Sequence, residues 1–262
     1  MPRVVRDGIG LYYEDRGSGD AVVLHTGGGG DGRMWARAGY DEALGAHRRV
    51  VLDHRGHGRS DVPGHLDAYR IEEHLDDVRA VLDAAGVERA AFVGYSAGAS
   101  VGFALAAEHP DRVSALVSIG NVPEPPSDDA RAERARVSAA GRRLREVGMR
   151  AAMEEIAARE DEPPPAWLLD NLAATSAETF ALTLEAWADA PDPWALAPRV
   201  TVPTLLVVGE REVTPDEVGA ARARLTGARA HVLPGWGHLQ TFWHGEVTGP
   251  LIAGFLRDVL AR

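Results

Sequence analysis

The chain opens on a hairpin pattern. Val4-Val5-Arg6 and Leu11-Tyr12-Tyr13-Glu14 flank Asp7-Gly8, a pair suited to a tight turn that needs positive φ. Short apolar runs then recur at Ala21 to Leu24, Val50 to Leu52, Ala91 to Val93, Val113 to Ile119 and Thr204 to Val208, with a weaker one at Ala230 to Leu233. Runs this continuously apolar predict strands buried on both faces of a parallel sheet. Between them the period becomes helical. Ile71, Leu75, Val78, Val81 and Leu82 share one face over 71–85, with the acids and Arg79 elsewhere, and Gly86 stops the helix. Ala97 to His109 is small and apolar and ends at Pro110, and Gly249 to Leu260 predicts a closing surface helix. Strand alternating with helix implies an α/β fold built on a doubly wound, mostly parallel sheet.

One segment departs from that rhythm. Pro123-Glu124-Pro125-Pro126 opens it and Pro198 to Pro203 closes it, with Arg- and Ala-rich helical patterns and the break Pro163-Pro164-Pro165 between. No strand run appears in it. The expected organisation is a core over 1–121, a helical cap over 122–196 and the rest of the core over 197–262.

Composition narrows the function. A hydrophobic fraction of 45% supports a packed core rather than disorder, and a formal charge of -11 argues against nucleic acid and anionic membrane as partners. With no cysteine, a thiolate nucleophile, a disulfide framework and a zinc–thiolate site are all excluded. The first residues lack a signal-like apolar core, and no window reaches the ~18 apolar residues of a membrane span. The expectation is a cytoplasmic protein, with a homodimer left open.

The chemistry concentrates in three places. Gly94-Tyr95-Ser96-Ala97-Gly98 directly follows the run Ala91 to Val93 and opens a helix, the context a nucleophile elbow requires. Its glycines fit a turn too sharp for larger residues, and Ser96 would stand at a helix N-terminus that favours negative charge. His25-Thr26-Gly27-Gly28-Gly29-Gly30 follows the run Ala21 to Leu24, and such a loop turns backbone N–H groups toward a ligand. The amides of Gly27 and Ala97 are the expected oxyanion hole. The loop lacks the Lys-Ser/Thr ending and the spacing of a phosphate-binding loop. The third place is Gly235-Trp236-Gly237-His238-Leu239. Of ten histidines, His238 comes late, in a glycine-flanked loop after a strand run. His47, His65 and His74 are read as polar helix or loop positions, His109 as a helix end, and His54 and His57 as parts of a tight turn. The orienting acid should follow the run Thr204 to Val208, where Glu210, Glu212 and Asp216 compete. Glu210 comes early enough to be taken up by the turn, and Asp216 follows Pro215 at a helix start. Glu212 is therefore preferred, with the other two open. Gly28, Tyr95, Trp187 and Leu239 are the expected substrate contacts, with Trp167 and Trp194 as further aromatic candidates. No metal and no cofactor is expected.

With these motifs in view, the chain resembles the α/β-hydrolase superfamily, in its branch of small esterases, enol-lactonases and cofactor-free haloperoxidase-like enzymes. The resemblance covers nearly all of the chain except the cap. It rests on His25-Thr26-Gly27-Gly28, on Asp53-His54-Arg55-Gly56-His57-Gly58-Arg59-Ser60, on the elbow and on the Gly235 to Leu239 loop. It implies a structural role for the Asp53 to Ser60 turn. Two positions depart from the pattern. Glu212 stands where the family commonly has aspartate, and Thr26 where it often has glycine, its hydroxyl free to face the pocket. The resemblance implies a serine hydrolase acting on a small-molecule ester or lactone. A carbon–carbon bond hydrolase keeps the same triad, but the glycine loop here lacks the proline of that subfamily. A ligand receptor on the same scaffold is the remaining alternative. Asp-nucleophile dehalogenases and epoxide hydrolases are excluded by Ser96.

Overall fold

The structure is a computed structural model that describes residues 2–126, 130–188 and 190–261. Of the three expected segments, residues 1, 127–129, 189 and 262 lie outside the described residues. Eight strands form one sheet: β1 (Arg3–Arg6), β2 (Ile9–Arg16), β3 (Ala21–His25), β4 (Arg48–Asp53), β5 (Ala90–Tyr95), β6 (Val113–Ile119), β7 (Thr204–Gly209) and β8 (Arg229–Leu233). Their order is β1-β2-β4-β3-β5-β6-β7-β8. The opening hairpin is antiparallel, with Asp7 and Gly8 both at positive φ, and β2 also runs antiparallel to β4. All later pairings are parallel. From β3 the chain crosses to β4 on one side and later to β5 on the other. The crevice between the carboxyl ends of β3 and β5 is therefore the topological switch point, where open α/β sheets bind ligands.

Two apolar layers cover the sheet. One gathers Phe92, Leu116 and Leu206 with Leu75, Val78 and Leu82 of the helix Ile71–Ala84, and with Phe103 of the helix Ala97–Glu108. The other sets Leu24, Val93 and Val207 against Trp35, Tyr40, Phe242 and Phe255. Every residue of β5 and of β7 is buried, which accounts for their unbroken apolar runs. Each fully buried large side chain contributes about 1.5–3 kcal/mol, so these central strands anchor whatever their ends carry.

The helix Ile71–Ala84 corrects one expectation. His74 and Asp77 lie on its buried face beside Ile71 and Leu75. Asp77 is tolerated there because Arg55 grips it through Nε and Nη2, at 2.6 and 2.7 Å, and Arg6 adds a third contact at 2.8 Å. A buried charge persists only when it is paired in this way. His74 is buried against Trp187 and the imidazoles of His25 and His54.

Between β6 and β7 the described residues are helical wherever they are regular: Ala130–Ala157, interrupted at Gly148, then Ala166–Leu172, Ala177–Trp187 and Pro193–Leu196. This insertion reaches the carboxyl end of the sheet. Phe180 lies against Gly28, and Met149 and Leu172 lie against Gly29. No helix among the described residues is long and apolar enough to cross a membrane.

Candidate active site

β5 ends at Tyr95 and the next helix begins at Ala97, so Ser96 alone must reverse the chain. It does so at φ 53°, ψ -120°. A non-glycine residue held there costs on the order of 1–3 kcal/mol and persists only where its surroundings over-determine it. The Ser96 N–H donates to the Ile119 carbonyl at 2.8 Å, and Ala99 N–H donates to the Ser96 carbonyl at 2.9 Å. A Cβ on Gly94 would lie 2.5 Å from the Gly98 carbonyl oxygen, and one on Gly98 would lie 2.5 Å from those of His25 and Thr26. The turn closes only with glycine at both positions.

The register of β3 on β5 pairs His25 with Gly94 and so brings the glycine loop beside the elbow. A Cβ on Gly27 would sit 2.8 Å from the Ser96 Cβ. Among the described residues the amides of Gly27 and Ala97 donate no hydrogen bond, which leaves both available to an oxygen at Ser96. The loop is braced from below and above. Gly29 N–H donates to His57 Nε2 at 3.1 Å, Thr175 Oγ1 donates to the Gly29 carbonyl at 2.8 Å, and Asn171 exchanges two hydrogen bonds with Asp31. Asp53 accepts from Gly32 N–H at 2.8 Å and from Arg59, so the Asp53 to Ser60 turn supports the loop from outside the reacting centre. The Thr26 hydroxyl is turned inward. It is fully buried and donates to the Gly30 carbonyl at 3.0 Å.

His57 is fixed in one neutral tautomer. Its Nε2 accepts from Gly29, so Nδ1 carries the proton and donates to the Arg55 carbonyl at 3.0 Å. Burial pushes His57 and His25 down to about 4. Between pH 4 and the ordinary imidazole value near 6.5 the unfolded chain therefore binds protons that the folded chain refuses. The stability these residues contribute is present above pH 6.5 and is lost as pH falls toward 4. At about 3 kcal/mol for each histidine, the melting temperature should drop by on the order of 10 °C across that window. A melting temperature constant over the window would contradict this.

The acid and the base come from the next strands. Gly209 and Leu233 pair at the ends of β7 and β8, and the turns that follow are tied by Arg211 N–H to the Trp236 carbonyl at 3.0 Å. Glu212 then meets the imidazole: its Oε1 accepts from Nδ1 of His238, and Nε2 of His238 faces Ser96 Oγ at 2.9 Å. Glutamate reaches where the family pattern has aspartate because Glu212 sits in a tight turn, its N–H donating to the Gly209 carbonyl at 3.1 Å. Its competitors are engaged elsewhere. Glu210 accepts from Gly235 N–H at 2.9 Å, and Asp216 lies in the first turn of the helix Pro215–Arg224, whose capping box is formed by Thr214 and Glu217. Asn121 donates to Ser100 Oγ at 2.9 Å and to the Ser96 carbonyl, not to the imidazole. A polar cavity of about 510 Å³, lined by Asn121, Arg136, Asp192 and Glu212 among others, opens behind the acid.

Burial alone would lower the pKa of His238. The hydrogen bond that Nδ1 donates to Glu212 and the charges of Glu212 and Glu160 outweigh burial, and the net direction is upward. A proton on Nδ1 held by a carboxylate leaves the lone pair of Nε2 toward Ser96, the arrangement a general base needs.

The expected substrate contacts fare differently. Gly28 lies in the loop beside Phe180, a contact not legible in the sequence because nothing distinguishes Phe180 from ordinary helix packing. Tyr95 packs directly against the imidazole. It is buried, stacks on His238 with ring centroids 5.1 Å apart and donates its hydroxyl to the His238 carbonyl at 3.3 Å. Burial, with Glu212 and Glu160 nearby, pushes the Tyr95 phenol well up, so it stays a donor. Trp187 bridges the insertion and the core. Its indole N–H donates to the Tyr69 carbonyl at 2.7 Å and its ring rests edge-on against His74, joining insertion to core. Trp194 lies under the Arg224 guanidinium, and Trp167 packs on the apolar layer of Phe242. Leu239 is buried, with its N–H donating to Glu160 at 2.9 Å. Glu160 was not anticipated. It lies in the charged run Arg159 to Glu162, which carries no motif.

A nucleophile elbow after the central strand, a glycine loop on the neighbouring strand and a histidine after the last strand together define an α/β-hydrolase. The sequence pattern of the alpha/beta hydrolase fold matches residues 20–245, and the chain belongs to that family. Among solved structures it is similar to the enol-lactonase of Burkholderia xenovorans LB400, with 28% identity, a TM-score of 0.80 and 97% and 99% of the two chains covered. It is similar also to a thermophilic esterase of Thermogutta terrifontis, with 28% identity, a TM-score of 0.82 and 99% of both chains covered. Among curated proteins it is 41% identical over 121 residues to a candidate carbamate hydrolase, RutD, of Caulobacter sp. (strain K31). That match covers 44% of each chain, so it spans less than half the length of this relative.

Proposed function

We propose that the protein is a serine hydrolase, a carboxylesterase or lactonase, that cleaves a small and fairly apolar substrate through an acyl-Ser96 intermediate. The observation that carries this reading is the unbroken relay from Glu212 through His238 to Ser96 Oγ. In the first half-reaction Nε2 takes the Ser96 proton as Oγ attacks the carbonyl carbon. The oxyanion accepts from the Gly27 and Ala97 amides, each lowering the barrier by roughly 3 kcal/mol. Collapse breaks the bond to the alkoxide, which leaves with the proton from Nε2. Water then repeats the sequence on the acyl-enzyme and restores Ser96. Phe180 beside Gly28 supplies an apolar wall for the acyl or ring portion. Lactones and open esters use the same steps. A carbamate would be attacked at the same kind of carbonyl carbon, and the partial match to a candidate carbamate hydrolase supports its place in the test.

The test is turnover of short p-nitrophenyl esters, a small lactone and an aryl carbamate, followed against pH. The neutral imidazole is the active form, and its pKa is raised, so the acid limb should be centred above 6.5, the ordinary imidazole value. Below the limb the rate should fall ~tenfold per pH unit. Absence of turnover on every class, or a profile flat from roughly pH 5 to 8 with acyl transfer rate-limiting, would contradict the reading.

A further inference from the structure

We infer that Glu160, carried on the insertion, is a positioning residue for His238, so that the insertion supplies a second carboxylate to the base as well as a cover for the pocket. The inference rests on the proposed role of His238 as general base.

Three observations converge on it. Glu160 Oε1 accepts from the N–H of Leu239, the residue after His238, at 2.9 Å. This amide is one of the unpaired donors in the first turn of the short helix His238–Trp243, so the carboxylate fixes the backbone that carries the imidazole. The other polar groups of that turn are held as well. Gly237 N–H donates to Gln240 Oε1 at 3.1 Å, and Tyr95 donates to the His238 carbonyl. The second observation concerns Gly237. Its backbone is extended, at φ -99°, ψ -170°, which any residue adopts. A Cβ there would lie 2.2 Å from Glu160 Oε2, so this carboxylate packs directly on the backbone of the residue before the histidine. Third, Oε2 is buried and accepts no hydrogen bond among the described residues. Its negative charge is left facing the turn that must bear an imidazolium during acyl transfer.

The neighbouring residues hold the segment in place. Arg211, adjacent to Glu212, donates to the Arg159 carbonyl at 3.0 Å and pairs with Asp161 at 2.6 Å. His244 pairs with Glu162 at 3.0 Å and with Glu246 at 2.7 Å. Residues 159–162 thus touch both turns that carry the acid and the base. The groups facing His238 are Glu212 from the turn after β7, Ser96 and Tyr95 from the elbow, and Glu160 from the insertion. Arg211 is already neutralised by Asp161, so the uncompensated charges at the imidazole are the two carboxylates. Both favour its protonated form.

The experiment compares Glu160→Gln and Glu160→Asp with the parent by proton NMR titration of His238 in the resting protein, and by the pH dependence of kcat/KM on a short ester. Gln keeps an oxygen for Leu239 but removes the charge. It should lower the His238 pKa by roughly half to one unit and move the acid limb of kcat/KM down by the same amount. Glu160→Asp keeps the charge on a shorter arm. It should titrate closer to the parent and lose kcat, because its reach to the Leu239 amide is shortened. A Gln variant that titrates within ~0.2 unit of the parent overturns the inference, since removing a nearby charge must move the equilibrium. So does an Asp variant as displaced as Gln. Should Gln fail to fold, the Asp variant's titration against the parent decides. The NMR titration does not depend on turnover. Failure of the serine mechanism would appear as activity surviving the loss of Ser96, with the Glu160–His238 coupling still measurable.

Discussion

Replacing Ser96 by alanine should lower turnover of a short ester by at least ~10⁴-fold while leaving the protein folded. The expected size follows from what is removed. Without Oγ no acyl-enzyme forms, and only the oxyanion donors at Gly27 and Ala97 and the binding surface remain to accelerate attack by water. The fold should tolerate the change. Among the described residues Ser96 Oγ meets the imidazole alone, and the hydrogen bonds that hold the elbow, to Ile119 and from Ala99, are made by backbone. His238→Ala should be similarly damaging, because nucleophile and base act as one unit. Activity of Ser96→Ala within tenfold of the parent, measured with the thermal transition unchanged, would remove the nucleophile from the account.

The second large effect is at Glu212. Glu212→Gln keeps the size of the side chain and removes its charge. The amide can then present either an oxygen or an NH₂ group to Nδ1, so the tautomer with its lone pair toward Ser96 is no longer enforced. The loss in kcat should be roughly 10⁴-fold, with KM changed much less. Glu210→Gln and Asp216→Asn are the controls. Among the described residues Glu210 meets the Gly235 amide alone, and Asp216 lies in a helix first turn, so each should leave kcat within about threefold of the parent. A near-normal Glu212→Gln beside a dead Glu210→Gln would reassign the acid.

How much of this was legible in the sequence depends on how local each signal was. The elbow and the glycine loop could be read because their chemistry is set by backbone sterics. Gly94 and Gly98 sit where any Cβ would strike a neighbouring carbonyl, and that requirement leaves a mark in the residue types themselves. The strands were legible because burial on both faces makes them continuously apolar. Glu212 could be placed only by position, since three acids follow β7 and only the turn geometry separates them. The errors lie where tertiary packing overrides local pattern. His74 and Asp77 looked like the polar side of a helix, but Arg55 and Arg6 reach Asp77 from two other elements and allow burial. The bonds of Tyr95 and Trp187 to the His238 and Tyr69 carbonyls were likewise not legible, because those partners are set by tertiary packing and not by local pattern. Glu160 was invisible, because the groups that give it meaning lie 79 residues away in sequence and its own neighbours are ordinary surface charges.

The central claim is the covalent intermediate. Its most direct test is to mix the protein with p-nitrophenyl acetate, quench in acid within the first turnover, and map the modified peptide by mass spectrometry. The account predicts one acetyl group, on Ser96, appearing as fast as the first equivalent of nitrophenolate. Sustained release of nitrophenolate with Ser96 unmodified throughout, or with the acetyl group on another side chain, would contradict it.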